Sequence, residues 1–340
     1  MMEIKRRTPF VARQNLGELL DNAFNMMGHT WRTSLFLSLM LLLPLSALLG
    51  WAVARLFAGL AKWTGYAGQP AEILGFLYVY FALGFGFVVL LLDLAGLFVY
   101  VAVSTHAAAV AGGLRLEFGE IVRLAGRRHY GRCLLQSLVQ TALITGMVVV
   151  ALLVVLPLPV LSQIQKSSPA GVAAAVAGAL LLAAAAVVWL SLLLRFAPQA
   201  VVFDGEPVFG SLQHSARLVR GSWWRLLGVS MAVGIMFSFA VGLISLPITG
   251  VVLLPVLSRL VSALLSGSLE SFQARGLLGG SAVWVAVAVA AGTFIRATLE
   301  AFFMPAFFGQ FYVDLKVRRG ELATPQRRAG RSAPAGRKGR

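Results

Sequence analysis

Polar and apolar positions alternate along this chain on two scales. On the longer scale, apolar runs lie near 33–56, 74–104, 133–160, 171–195, 226–254 and 281–312. Each is long enough to cross a hydrocarbon core, which takes ~20 helical residues because backbone groups in lipid must be satisfied within the segment. Pro247 and Pro255 interrupt the fifth run and 256–266 stays apolar, so that helix is expected to kink or re-enter. On the shorter scale, Leu16, Leu19, Leu20, Ala23, Phe24 and Met27 fall on one stripe of a helix whose other face carries Glu18, Asp21, Asn22 and Asn25. Asn15, three residues before Glu18, supplies a capping box to start it. Phe118, Ile121, Val122 and Ala125 repeat the stripe, and Phe209, Leu212, Ala216 and Val219 repeat it more loosely.

These amphipathic stretches are versions of one pattern. Leu16-Gly17-Glu18-Leu19 leads to Trp31-Arg32, Phe118-Gly119-Glu120-Ile121 to Tyr130-Gly131-Arg132, and Phe209-Gly210-Ser211-Leu212 to Trp224-Arg225, each followed by a long apolar run. The expected fold class is all-α: a polytopic six-helix membrane bundle in three parallel repeats, each an interfacial helix plus two spans, over about 14–113, 114–206 and 207–318. Two spans per unit leave every unit in the same orientation, unlike the inverted repeats of many transporters. Trp31, Tyr130, Trp223 and Trp224 are expected at the headgroup level, with Arg32, Arg132, Arg217, Arg220 and Arg225 meeting anionic lipid heads or a partner. The helices then act either as elbows that orient the next span or as a collar for headgroups or a protein.

Composition agrees with a membrane class: 59% of residues are hydrophobic, 12% are charged and the mean hydropathy is +0.83, which excludes a soluble core. The net charge of +16 changes the picture only through its placement. The intervals between spans hold 23 Lys and Arg on the side of both termini and five on the other, Arg55, Lys62, Lys166, Arg259 and Arg275. Positive residues resist translocation, so an inner-membrane protein with cytoplasmic N- and C-termini is expected, and nucleic acid is not an expected partner. The single Cys133 allows no internal disulfide or cysteine metal cluster and reads as a packing residue. The first apolar run starts too late for a cleavable leader, so the N-terminus reads as mature. Residues 319–340, rich in Arg, Lys, Gly and Pro, read as a disordered basic tail that binds anionic lipid.

Asp93 in the second run, and Arg296 with Glu300 in the sixth, are the candidate intramembrane site. A central ionisable residue costs ~2.5–3.5 kcal/mol on insertion scales, so each is expected to face the bundle interior and find a partner. Arg296 and Glu300 are four apart and suited to pair, with Asp93 sharing the guanidinium. The cluster reads either as a polar pathway or as an ion network that fixes helix packing. Ala174, Gly178 and the alanines 183–186 in the fourth run, with Gly228, Gly234 and Gly242 in the fifth, are expected where backbones approach closely.

Grouped acids, bases and metal ligands are missing: the chain has no HExxH, GxSxG or GxxxxGK[ST] pattern, and no catalytic residue, metal or cofactor is expected. The acidic turn Asp204-Gly205-Glu206-Pro207 reads as a helix start rather than a catalytic pair.

The opening Leu16-Gly17-Glu18-Leu19-Leu20-Asp21-Asn22-Ala23-Phe24, the central stretch Gly210–Gly221 with Trp223-Trp224-Arg225, and the closing Phe311-Tyr312-Val313-Asp314-Leu315-Lys316-Val317-Arg318-Arg319 carry a resemblance that spans nearly the whole chain. Together they resemble the glycerophosphoryl diester phosphodiesterase membrane domain, a multi-pass bacterial domain that can be fused to a soluble catalytic barrel. The residues here offer no such barrel, so the resemblance implies the membrane architecture and not the enzymatic activity. The closing motif breaks into the basic tail, where that family usually continues into an acidic amphipathic segment. The expected function is that of a non-enzymatic membrane component that scaffolds a partner or handles lipid at the cytoplasmic leaflet. The alternative is a transporter of a small solute or lipid using Asp93, Arg296 and Glu300, and a membrane-embedded lipid phosphodiesterase comes third.

Overall fold

The structure is a computed structural model that describes residues 14–63, 71–155, 169–265 and 274–322. Among the described residues all regular structure is helical. The order is α1 (Leu16–Leu37), a π-helical stretch (Ser38–Leu42), α2 (Leu43–Trp63), α3 (Ala71–Ala111), α4 (Phe118–Leu124), a second π stretch (Ala125–Tyr130) and α5 (Gly131–Val155). Then come α6 (Pro169–Leu193), α7 (Ala197–Gln199), a third π stretch (Ala200–Asp204), α8 (Val208–Val219), α9 (Trp223–Leu265) and α10 (Ala274–Arg319). Six helical runs are long and apolar enough to cross a membrane, and each holds most of one run expected from the pattern. This is the all-α, multi-pass class.

The ends of these helices differ from expectation in two ways. The first two amphipathic stretches are not separate interfacial helices: α1 continues through its π stretch into α2, and α4 through its own into α5. No proline stands between Met27 and the span or between Ala125 and Cys133, so nothing removes a backbone donor, and one extra residue per turn absorbs the change of face. Only α8 is separated from the span after it, by a turn at Gly221 whose φ of 92° is open to glycine at no steric cost. In the fifth span the helix is not broken at its prolines: α9 runs on for 43 residues through Pro247 and Pro255. The capping box at Asn15 forms as expected: its amide donates to Glu18 Oε2 at 2.9 Å, and the Glu18 amide to Asn15 Oδ1 at 2.8 Å.

The chain divides into two compact units. Unit 1 takes residues 1–23, 104–231 and 307–340, and so includes α4 to α8 and the last turns of α10. In it α5 packs along α6 and against α8. Its core is aromatic: Phe196 lies edge-on to Phe311 at 5.5 Å between ring centres and to Phe308 at 6.2 Å, and Phe203 meets Tyr312 at 5.8 Å. Cys133 is buried in this unit.

Unit 2 takes residues 24–103 and 232–306, the greater parts of α1 to α3, α9 and α10. There Phe303 stands between Phe24 and Phe237, at 5.6 and 6.3 Å between ring centres. Among the described glycines the tightest surroundings are at Gly50, where an added Cβ would lie 2.5 Å from the Ala286 carbonyl oxygen and 2.8 Å from the Ala290 methyl. Gly178, Gly228, Gly234 and Gly242, expected to serve that purpose, have nothing within 4 Å of an added Cβ, and Ala174 is exposed. Composition marks small residues in a span but not which face of the helix meets a neighbour.

Candidate functional site: two carboxylates at the end of α10

The last turns of α10 carry charged residues at alternate positions, Asp314, Lys316 and Arg318, with Tyr312 and Gln310 before them. Helical spacing sends Asp314 and Arg318 to one side and Tyr312 and Lys316 to another, and each pair meets its own partners within unit 1.

Asp314 is completely buried, and both its oxygens are filled. Oδ2 accepts from Arg225 Nη1 at 2.7 Å, the Arg318 Nε donates to both oxygens at 3.0 Å, and the Gln14 amide donates to Oδ1 at 2.8 Å. The Gln14 carbonyl in turn accepts from Arg225 at 2.8 Å and from Arg318 at 2.7 Å. One carboxylate thus holds two guanidiniums and Gln14, two residues before α1, joining positions 300 apart in sequence. Arg225 also lies over the Phe311 ring, 5.5 Å from its centre, so its charge is held from above and from the side.

Asp204 is the second carboxylate. Gly205, in the left-handed conformation at φ 73°, closes the π stretch that presents it. The Gly205 carbonyl accepts from Arg132 Nη1 at 3.1 Å. Asp204 takes a short hydrogen bond from the Tyr312 hydroxyl and an ion pair from Lys316 Nζ, at 2.8 and 2.9 Å to its two oxygens. His214 Nε2 stands 3.7 Å from Asp204 Oδ2 and 3.7 Å from Glu321 Oε2. The acidic turn is followed by a helix as expected: α8 begins at Val208 with Pro207 at its N-cap and no side-chain cap, while Asp204 itself is engaged by Lys316 of α10.

The same unit contains a repaired helix break. After α6 ends, Ser215 Oγ donates to the Leu193 carbonyl at 2.7 Å and accepts from the Phe196 amide at 3.0 Å, so a serine of α8 satisfies both backbone groups that the break exposes. Arg195, in the break itself, lies 4.1 Å above the Phe308 ring.

A family model described as Domain of unknown function (DUF7847) matches residues 106–315. The chain belongs to this DUF7847 family. Comparison with curated proteins and with solved structures gave no match. The DUF7847 span holds Asp204, His214, Ser215, Arg225, Tyr312 and Asp314, while Gln14, Lys316 and Arg318, which complete both carboxylate networks, lie outside it.

The residues expected at the interface are treated unequally by the fold. Trp31, Arg32, Arg132, Arg217, Arg220 and Trp224 are exposed, and Tyr130 and Trp223 are half-buried. Arg225 is the exception, drawn onto Asp314 rather than left for a headgroup. The expected intramembrane cluster does not assemble. Asp93, Arg296 and Glu300 are all exposed, and among the described residues no ion pair joins any of them. A four-residue separation puts Arg296 and Glu300 on one face, but the rotation of α10 turns that face outward. The basic tail beyond Leu322 and the connection bearing Lys166 lie outside the described residues. Asp204 and Asp314 were not foreseen as partners of α10 and α9. The one local signal was the four-residue spacing of Asp314 and Arg318, within the closing motif.

Proposed function

We propose that this chain is a non-enzymatic inner-membrane component that handles anionic lipid at the cytoplasmic leaflet, with both termini in the cytoplasm and three parallel repeats. The observation that carries this reading is the division of labour around α8. Ser211, Leu212, Ser215, Leu218 and Val219 are buried and hold the helix in place, while Phe209, Arg217, Arg220 and Trp224 stay exposed beside it. A pinned amphipathic helix that presents basic and aromatic side chains suits the headgroup region, where each basic residue contributes ~1 kcal/mol of attraction to anionic lipid. The 23 Lys and Arg on the side of the termini support the orientation. The resemblance to the phosphodiesterase membrane domain supports a membrane module. The transporter alternative loses its main support, since its three charges are not gathered.

Native mass spectrometry of the protein extracted under mild conditions tests this. Selective retention of phosphatidylglycerol over phosphatidylcholine, reduced in an Arg217→Gln, Arg220→Gln variant, supports lipid handling. A stoichiometric protein partner with no lipid preference turns the collar into a scaffold. Equal retention of both lipids by the native chain and the variant overturns the reading.

A further inference from the structure

Within unit 1, the way α10 ends sets a carboxylate against α8. Gly320, in the left-handed conformation at φ 75°, turns the chain back on itself. Its amide donates to the Val317 carbonyl at 3.1 Å and the Glu321 amide to the Lys316 carbonyl at 3.0 Å, the paired bonds of a Schellman ending. The turn brings Glu321 Oε2 to 3.7 Å from His214 Nε2, and the third π stretch brings Asp204 Oδ2 to 3.7 Å from the same nitrogen. That nitrogen is buried and makes no hydrogen bond, since both carboxylates stand at ion-pair range but beyond hydrogen-bond length. Lys316 and Tyr312 already engage Asp204, whereas among the described residues the one ion pair of Glu321 is with His214. The other charges around α8 have places of their own. Arg132 of α5 donates to the Gly205 carbonyl, and Arg195 lies over Phe308. Glu206 lies against the first turn of α8, where an added Cβ at Gly210 would stand 2.8 Å from its Oε2. The helices α6 and α7, which also pack on α8, carry no titratable side chain. A second tie joins the two ends, as Arg319 donates to the Arg220 carbonyl.

A neutral imidazole has one N–H to offer, whereas an imidazolium attracts both carboxylates at once. We propose that His214 is a proton-operated latch: charged, it draws Glu321 and Asp204 together and locks the end of α10 onto α8, and neutral, it releases Glu321. Histidine is the side chain suited to change charge between pH 5 and 8, and His214 lies outside the candidate spans, within reach of a proton from water. Release is local, because Asp204 keeps Lys316 and Tyr312, and Asp314 keeps both its guanidiniums. The consequence for function rests on α8 being the helix that meets anionic lipid. A closed latch holds Arg319 beside Arg220, gathering basic side chains of two helices, so the hold on an anionic headgroup tightens as pH falls.

The test uses the full chain in phosphatidylcholine nanodiscs, with hydrogen exchange at the Glu321 and Leu322 amides compared at about pH 5.5 and about pH 8 after correction for the intrinsic effect of pH. Protection in the native chain is expected to fall about fivefold at the higher pH, the scale of a partly exposed ion pair. His214→Gln is expected to give the low value at both. Should that variant fail to fold, Glu321→Gln, at an exposed position, is expected to do the same with its melting temperature unaltered. Equal protection of the native chain at both pH values, or a native response in either folded variant, overturns the latch. Native mass spectrometry at the same two pH values tests the consequence: the native chain is expected to retain phosphatidylglycerol about fivefold better at the lower pH, and the variants equally at both. A latch that responds to pH in a chain with no preference for phosphatidylglycerol upholds the latch and overturns the lipid reading of α8. A preference for phosphatidylglycerol that stays constant while the latch opens overturns the regulation.

Discussion

The two units handle charge in opposite ways. In unit 1 two carboxylates turn inward: Asp314 is completely buried between Arg225, Arg318 and Gln14, and Asp204 is held by Lys316 and Tyr312. In unit 2 Asp93, Arg296 and Glu300 turn outward, and among the described residues no ion pair holds them. The same residue types are therefore structural in one unit and surface features in the other. What separates them is whether a second basic or backbone group reaches the same point. Unit 1 gathers three separate stretches of the chain at the end of α10, and so brings donors from Gln14 and Arg225 to a carboxylate that its own helix supplies only with Arg318.

The largest break in this comparison is expected at Asp314. Asp314→Ala strips two guanidiniums and a backbone amide of their common acceptor, and loss of one partner from a buried ion pair costs about 3–5 kcal/mol. The variant should show a sharply lowered melting temperature in detergent, and a native-like melting curve would show the network to be dispensable. Next is Gly50→Val in unit 2, where the new side chain overlaps the Ala286 carbonyl; overpacking of this kind costs about 1–3 kcal/mol. Gly242→Ala, at a glycine with open space, serves as its control and should melt like the native chain.

Ser215→Ala, which leaves the Leu193 carbonyl and Phe196 amide without their partner, is expected to cost about 1–3 kcal/mol. Hydrogen exchange at the Phe196 amide should rise with it, and unchanged protection there would mean the break is satisfied in another way. The smallest effect on stability is expected from Arg217→Gln, an exposed position that should stay within about 0.5 kcal/mol of the native chain in detergent. Its signature is lost retention of phosphatidylglycerol without a change in melting temperature. A change in melting temperature with unaltered lipid binding would move Arg217 to the structural side of the comparison.

Much of the fold was legible because its cause is local. Hydrophobic runs of span length, the stripe from Leu16 to Met27 and the Asn15–Glu18 capping box depend only on residues within a few turns of one another. The continuity of α1 into α2, and of α4 into α5, was missed because aromatic and basic residues at a membrane interface mark a level rather than a bend. Arg225 illustrates the same limit at the site. Beside Trp223 and Trp224 it reads as a headgroup contact, yet its partner Asp314 is 89 residues away.

The order of apolar and polar residues by itself determined that the described residues are helical and that six of their segments are long and apolar enough to cross a membrane. Those properties follow from transfer energies and backbone hydrogen bonding summed over each segment alone. The tertiary structure alone decided that Asp314 and Asp204 are enclosed while Asp93 and Arg296 face outward, and that Gly50 rather than Gly242 meets a neighbour. The rotation of each helix about its axis is set by the shapes packed against it, and a sequence period defines faces without saying which one turns inward.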